Sequence, residues 1–302
     1  MKYFYLAPLV SILSLNAMAM DNDSMESPIS LQKISQKKTP LSLMNPNELS
    51  QEEQALKEEI QNISQSEIIS EWVSLCKQQE IQLESAQDDP AYYPMKLKDG
   101  REVELPINVL PADYTLIVAA VGLDFNDVDK LNRETDPRVS AQSTLFWKTR
   151  YLNSASIIKN GLGSYAAAKD FQLNMAFIIE PNKNSIVCSA SKDMISPTRN
   201  YENAIKFSLE KIKLLSKPED IVKNTHEGDY NEVTLMGPPL FNKLFPNFGP
   251  SFTVTGIFVT PEALTHYKQV PSIESYKFLT YLSELTEKNI PIYVPPPKTS
   301  EK

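Results

Sequence analysis

Arg150 is a cation in a run, TLFWKTRYL from Thr144 to Leu152, that otherwise alternates large apolar and polar groups as a strand does. A strand facing a core has two uses for such a residue. Its planar fork of donors holds phosphate or pyrophosphate, or its charge marks a solvated edge. Cys188 and His226 offer a different chemistry, a thiol nucleophile with an imidazole base. Cys188 lies within an apolar run, SIVCSAS, where nothing marks an activated thiolate. His266 follows PEALT and reads as a surface residue. With two histidines, two cysteines and no ligand spacing, the chain offers no metal site.

The 302 residues suffice for one large domain or two small ones. The net charge of -8 argues against a nucleic-acid binder, which relies on clustered cations. With 8 glycines against 22 prolines, a glycine-rich phosphate loop is not expected. Residues 1–19 read as a cleavable signal: Lys2, an apolar run from Phe4 to Leu15, then Ala17-Met18-Ala19. The run is short for a bilayer span, and no later stretch is apolar enough for one. The expectation is a secreted or periplasmic protein with no membrane span in its mature chain.

Residues 20–48 are rich in Ser, Asn, Lys and Pro and read as a disordered linker. Residues 49–99 read as a helical segment, one long helix or a pair. Ser50 and Glu53 form a capping box, and Leu56, Ile60, Ile63, Ile69, Trp72, Val73 and Cys76 recur at helical spacing. Cys76 on that face is a buried small hydrophobe. Residues 100–295 change to short strands and helices, and 296–302 form a polar tail. EVELPINVL, TLIVAAVGL, NEVTLM, SFTVTGIFV and IPIYV read as strands. LNMAFIIEPNKNSIVCSAS reads as a hairpin turning at 181–184. Asn153 reads as the N-cap of a short helix, with a Leu152–Ile157 staple and a stop at Gly161. Ser196 and Pro197 open a helix carrying Tyr201, Ala204, Ile205, Leu209 and Ile212 on one face. FNDVDKLNRE and SIESYKFLTYLSELTEKN also read as helices, and GPPLFNKLFPNFGP as a rigid packed connection. The class is α+β, a mixed and largely antiparallel sheet domain preceded by a helical segment.

Three pieces in order, LFWKTRYLNSASIIKNGL, SIVCSASKDMISPTRNYENAIKF and DYNEVTLMGPPLFNKLFP, resemble the mono-ADP-ribosyltransferase toxins of the cholera and heat-labile enterotoxin type. SASIIKNGL is similar to the family's I-x-x-x-G-L helix, VCSASKD to its V-S-T-S-K run, and NEVTLMGPP to the run after its glutamate. The resemblance covers about residues 143–260. It implies NAD as substrate, Arg150, Ser189 and Ser191 as cofactor-binding residues, Glu232 as catalytic residue, and a host or competitor protein as ADP-ribose acceptor. The chemistry suits those groups. Cleaving a nicotinamide–ribose bond builds positive charge on the ribose carbon, and a fixed carboxylate stabilises it. The departures are specific. Trp147 stands where the family's arginine is expected, with Arg138 upstream as a second candidate. Ser-Ala-Ser lacks one hydroxyl, and Tyr230 replaces the second glutamate of arginine-modifying members. Tyr230 points to NAD hydrolysis or another acceptor side chain. The alternative is an exported, non-catalytic binding or host-interaction protein on a transferase-like fold. A cleft that gathers Arg150 or Arg138 with Ser189 and Glu232 separates the two.

Overall fold

A computed structural model describes residues 48–96, 100–111, 115–120, 150–159, 175–192, 194, 200–224, 231–260, 264 and 289–296. All of them belong to one compact unit, Pro46–Lys302. The signal at 1–19, nearly all of the linker, Arg138, Trp147, His226, Tyr230, His266 and the helices expected around 125–134 and 272–289 lie outside the described residues, except Asn289.

Helix α1 (Gln51–Ile63) starts at the expected capping box: the Glu53 N–H donates to Ser50 Oγ, and the Ser50 N–H donates to Glu53 Oε2. A break follows, and Ser66 caps α2 (Glu67–Ser85) through the Ile69 N–H, so the helical stretch is a pair. β1 (Ala91–Lys96) then lies within the 49–99 stretch, where helix was expected throughout. After it come β2 (Glu102–Val109), β3 (Thr115–Ala120), β4 (Leu152–Lys159), β5 (Met175–Pro181) and β6 (Ile186–Ser189). Helix α3 (Tyr201–Lys211), a 3-10 turn (Ile212–Leu214), α4 (Pro218–Lys223), β7 (Glu232–Met236), α5 (Pro238–Leu244), β8 (Phe252–Val259) and β9 (Ile292–Val294) complete the order. The class is α+β. The strands run β1-β2-β9-β8-β5-β3-β4-β7-β6. β9 pairs in parallel with β2 and β8, and all other pairs are antiparallel.

Two local expectations change. The expected helix at Asn153 is strand β4, paired with β3 on one side and β7 on the other. Its staple residues Leu152 and Ile157 instead enter cores on opposite faces of the sheet. Pairing on both edges and burial on both faces override the capping signal. The expected hairpin has its two strands and its turn but no pairing between them, because β5 and β6 stand four places apart in the sheet. Four flat strand spacings measure about 19 Å. The connection turns back on itself through Ser185 N–H to Asn182 O, 2.8 Å. It nevertheless carries the chain from Ser251, beside β8, to Met236, at the end of β7. The sheet must therefore curl. Helix α3 starts at Tyr201, where the Asn200 side chain accepts the Asn203 N–H at 2.9 Å; Ser196 and Pro197, expected to open it, lie outside the described residues.

The two faces of the β4–β7–β6 region carry different helices. On one, Trp72, Ile69 and Cys76 of α2 and Ile221 of α4 cover Ala155, Ile157, Val233 and Leu235. On the other, Leu56 and Ile60 of α1, Ala204 and Ile205 of α3, and Leu240, Phe241 and Leu244 of α5 cover Leu152, Met236 and Cys188. The run GPPLFNKLFP is packed as expected, and it contains α5, with prolines at its first turn.

Candidate functional site

Glu232 opens β7, and the residue before it, Asn231, has φ 46°, in the left-handed region that asparagine tolerates. The Ile157 N–H donates to the Asn231 carbonyl, which fixes the entry to the strand. β7 is buried along its whole length, so its carboxylate is enclosed at 0 % exposure. Thr234, on the same face, donates its hydroxyl to Glu232 Oε1 at 3.0 Å, and the Met194 N–H donates to Glu232 Oε2.

The strand carrying Ser189 lies against β7, with Ser189 opposite Val233 and the Ala190 N–H donating to the Glu232 carbonyl. Two of the three pieces that the sequence keeps over 40 residues apart are thus neighbours. Ser189 is buried, and its hydroxyl is engaged elsewhere. It donates to Ser216 O at 3.0 Å and accepts the Ser216 N–H at 2.8 Å, which pins the segment between the 3-10 turn and α4. Ser191 is half-buried in the bend after β6.

Arg150 is at the other end. β4 and β7 are antiparallel with Ser156 opposite Glu232 and Leu152 opposite Met236. Leu152 to Ser156 is about 13 Å of strand, and Arg150 lies two residues further out. The Tyr151 carbonyl accepts the Gly237 N–H, and a Cβ at Gly237 would sit 2.0 Å from the Arg150 carbonyl oxygen. Arg150 therefore belongs to the α5 end of β7 and is not brought together with Glu232.

The residues that are brought to Glu232 were hidden in the sequence by the expected helix. Ser156 and Ser154 of β4 face Glu232 and Thr234 of β7 in register. Both serine hydroxyls are buried and neither has a hydrogen-bond partner. Cys188 of β6 stands opposite Thr234. Burial, and secondly the charge of Glu232, push its thiol up to about 11. Both cysteines are free and buried.

A second buried carboxylate, Glu53, joins α1 to the helices beside it. Lys243 of α5 forms an ion pair with Glu53 Oε1, and the Tyr201 hydroxyl of α3 donates to the same oxygen. Burial opposes its ionisation, yet these contacts and the Ser50 N–H hold Glu53 below its ordinary value. Among the described residues, no three His, Cys, Asp or Glu side chains gather to hold a metal, and no helix is long and apolar enough to cross a membrane. No known family, no curated protein and no solved structure matches the chain.

Proposed function

We propose that the chain is an exported, non-catalytic binding protein with a host or competitor protein as its partner. The observation that carries this reading is the disposition of three of the residues suited to NAD cleavage. Ser189 is committed to the Ser216 backbone, Glu232 is enclosed, and Arg150 lies at the opposite end of β7. A carboxylate that stabilises a developing ribose cation must reach that carbon. Glu232 instead accepts bonds from its own strand and from Met194. Export rests on the Lys2, apolar run and Ala17-Met18-Ala19 pattern. The test has two arms. Mature protein incubated with NAD, in buffer and in host-cell extract, should release no nicotinamide and transfer no labelled ADP-ribose. Labelled protein should bind intact target cells saturably and be displaced by unlabelled protein. NAD turnover that disappears in Glu232→Gln would sink the first half, and non-saturable binding the second.

A second reading, NAD glycohydrolase or mono-ADP-ribosyltransferase, is favoured by one observation: the Ser-Ala-Ser end of β6 lies beside Glu232. On that reading Glu232→Gln lowers turnover far more than NAD affinity, whereas Arg150→Ala weakens NAD binding. The thiol-hydrolase alternative has less support, because burial holds Cys188 in its unreactive protonated form.

A further inference from the structure

We propose that the groove between α2 and α4 takes a basic segment of the partner protein, with one lysine or arginine side chain laid along it. This deepens the binding-protein reading and rests on it for the partner being a protein. Glu71, Leu75 and Gln78 fall at i, i+4 and i+7 of α2 and share one side of that helix. Pro218, Glu219 and Val222 of α4 stand across from them, and the six line a cleft of about 330 Å³.

The cleft is held open by contacts made elsewhere on the two helices. Ile69, Trp72 and Cys76 of α2 and Ile221 of α4 go into the core. Leu75 and Val222 stay half-buried at the shoulders of their helices. Lys217 fixes the spacing at the start of α4, through ion pairs to Glu71 at 2.6 Å and Glu67 at 3.2 Å. The Trp72 indole, bonded to Ser216 O, holds the same segment.

The lining and the charge around it select the occupant. Leu75, Pro218 and Val222 supply apolar carbon, and each helix adds a carboxylate, Glu71 or Glu219. Lysine and arginine divide in the same way, an apolar stem and a charged head. Glu219 is exposed and, among the described residues, is in no ion pair. A neutral occupant would take water from these carboxylates without pairing them. The cleft is at the small end of ligand-pocket sizes, which suits one side chain better than a cofactor. The surrounding charge points the same way. Residues 48–89 hold eleven Asp and Glu against two Lys, a net -9, whereas the whole chain carries -8. The acidic field is therefore concentrated on the helical pair and steers a cationic partner to it. Lys77 and Lys223 do not line the cleft. A second copy docked through the same face would set acid against acid, and an anionic lipid surface would be repelled likewise.

The experiment titrates the purified protein against a fluorescein-labelled amphipathic peptide built only of leucine and lysine. Anisotropy is read at about 150 mM salt, where attraction between exposed charges is screened. Glu219→Lys should weaken binding by about tenfold or more. Glu80→Lys makes the same change in net charge on the opposite side of α2 from Glu71, and should stay within about twofold of wild type. Both residues are exposed, so neither substitution threatens folding. Equal losses in the two variants mean a general acidic field and overturn the groove. So does a wild-type protein that ignores the peptide, or one that binds a leucine–glutamate peptide as well. The same variants then enter the cell-binding assay. Saturable binding that the two substitutions weaken alike, or not at all, overturns the groove and leaves the binding-protein reading standing. Binding to cells that does not saturate, beside a peptide result specific to Glu219, refutes that reading and leaves the groove's preference for basic chains in place.

Discussion

Glu53 and Lys243, 190 residues apart, form an ion pair whose carboxylate is 3 % exposed and whose ammonium is 39 % exposed. The same carboxylate closes the capping box of α1, and Lys243 also lies over the Tyr201 ring, 5.1 Å from its centroid. Three helices therefore meet at one oxygen pair. The enclosed end of the pair carries the desolvation cost, and the hydrogen bonds from Tyr201 and Ser50 offset it.

Removing that charge while keeping the shape tests how much of the α1 docking is electrostatic. Glu53→Gln leaves the apolar contacts of Leu56 and Ile60 intact and should cost about 1–3 kcal/mol. The pH dependence has a definite sign. Glu53 is held below its ordinary value of 4.5 in the folded protein. Its contribution is thus fully present above about 4.5 and is lost as pH falls from there through the lower folded value. Urea midpoints between neutral pH and about 3 should show this acid loss in the wild-type protein and a shallower one in Glu53→Gln. Parallel curves would refute it.

Ser189 and Trp72 are bound to one residue, and their substitutions should not add. The Trp72 indole N–H donates to Ser216 O at 3.0 Å, and Ser189 donates to the same oxygen. Ser189→Ala should cost about 1 kcal/mol or more, because it removes both the donor to Ser216 O and the acceptor of the part-buried Ser216 N–H. Trp72→Phe removes the indole donor with modest loss of volume. A double-mutant cycle on unfolding free energies should give a coupling of about 0.5 kcal/mol or more. Strict additivity would mean that the shared carbonyl is not the link.

Strand patterns were legible where local chemistry and long-range pairing agree. Glu232–Met236 and Phe252–Val259 are runs of β-branched and aromatic residues buried on the sheet, and nothing local competes with that reading. The α1 capping box was legible because it closes within three residues. Leu152–Lys159 was not legible. Asn153, the apolar pair at 152 and 157, and Gly161 all signal a helix locally, and only the flanking β3 and β7 decide otherwise. That error hid Ser154 and Ser156, the residues facing Glu232. The neighbourhood of Ser189 and Glu232 was legible as an order of motifs, but the direction of β4 was not. A strand's side-chain pattern says nothing about which end of its partner it meets, and that direction sets Arg150 at the Gly237 end.

Cys188 should be chemically silent until the protein opens. It is 0 % exposed, and burial together with the Glu232 charge pushes its thiol up to about 11. At neutral pH the thiolate fraction is about one in ten thousand, before access is counted. Cys76 is likewise buried and pushed up to about 12. Labelling with an aromatic disulfide reagent should therefore proceed at the unfolding rate for both thiols, independent of reagent concentration at high excess. A fast, concentration-dependent phase would show an accessible thiol and would revive a nucleophilic role for Cys188.

Gly237 is the position where a single methyl group should do the most damage. It ends β7 and precedes the two prolines that start α5, and its N–H donates to the Tyr151 carbonyl at 2.8 Å. A Cβ there would meet the Arg150 carbonyl oxygen at 2.0 Å and the Asn153 Nδ2 at 3.0 Å. The first contact is with backbone, so no side-chain rotamer relieves it. Gly237 has φ -72°, which any residue adopts, so the requirement for glycine is one of space and not of conformation. Gly237→Ala must push β4 away from the β7–α5 corner, and overpacking of that kind typically costs about 1–3 kcal/mol or more. At Gly249, φ 77°, nothing lies within 4 Å of an added Cβ, so Gly249→Ala isolates the conformational cost alone. The expected ranking in urea midpoint is wild type, then Gly249→Ala, then Gly237→Ala. The reverse order of the two variants would mean that the Arg150–Gly237 contact is looser than the geometry requires.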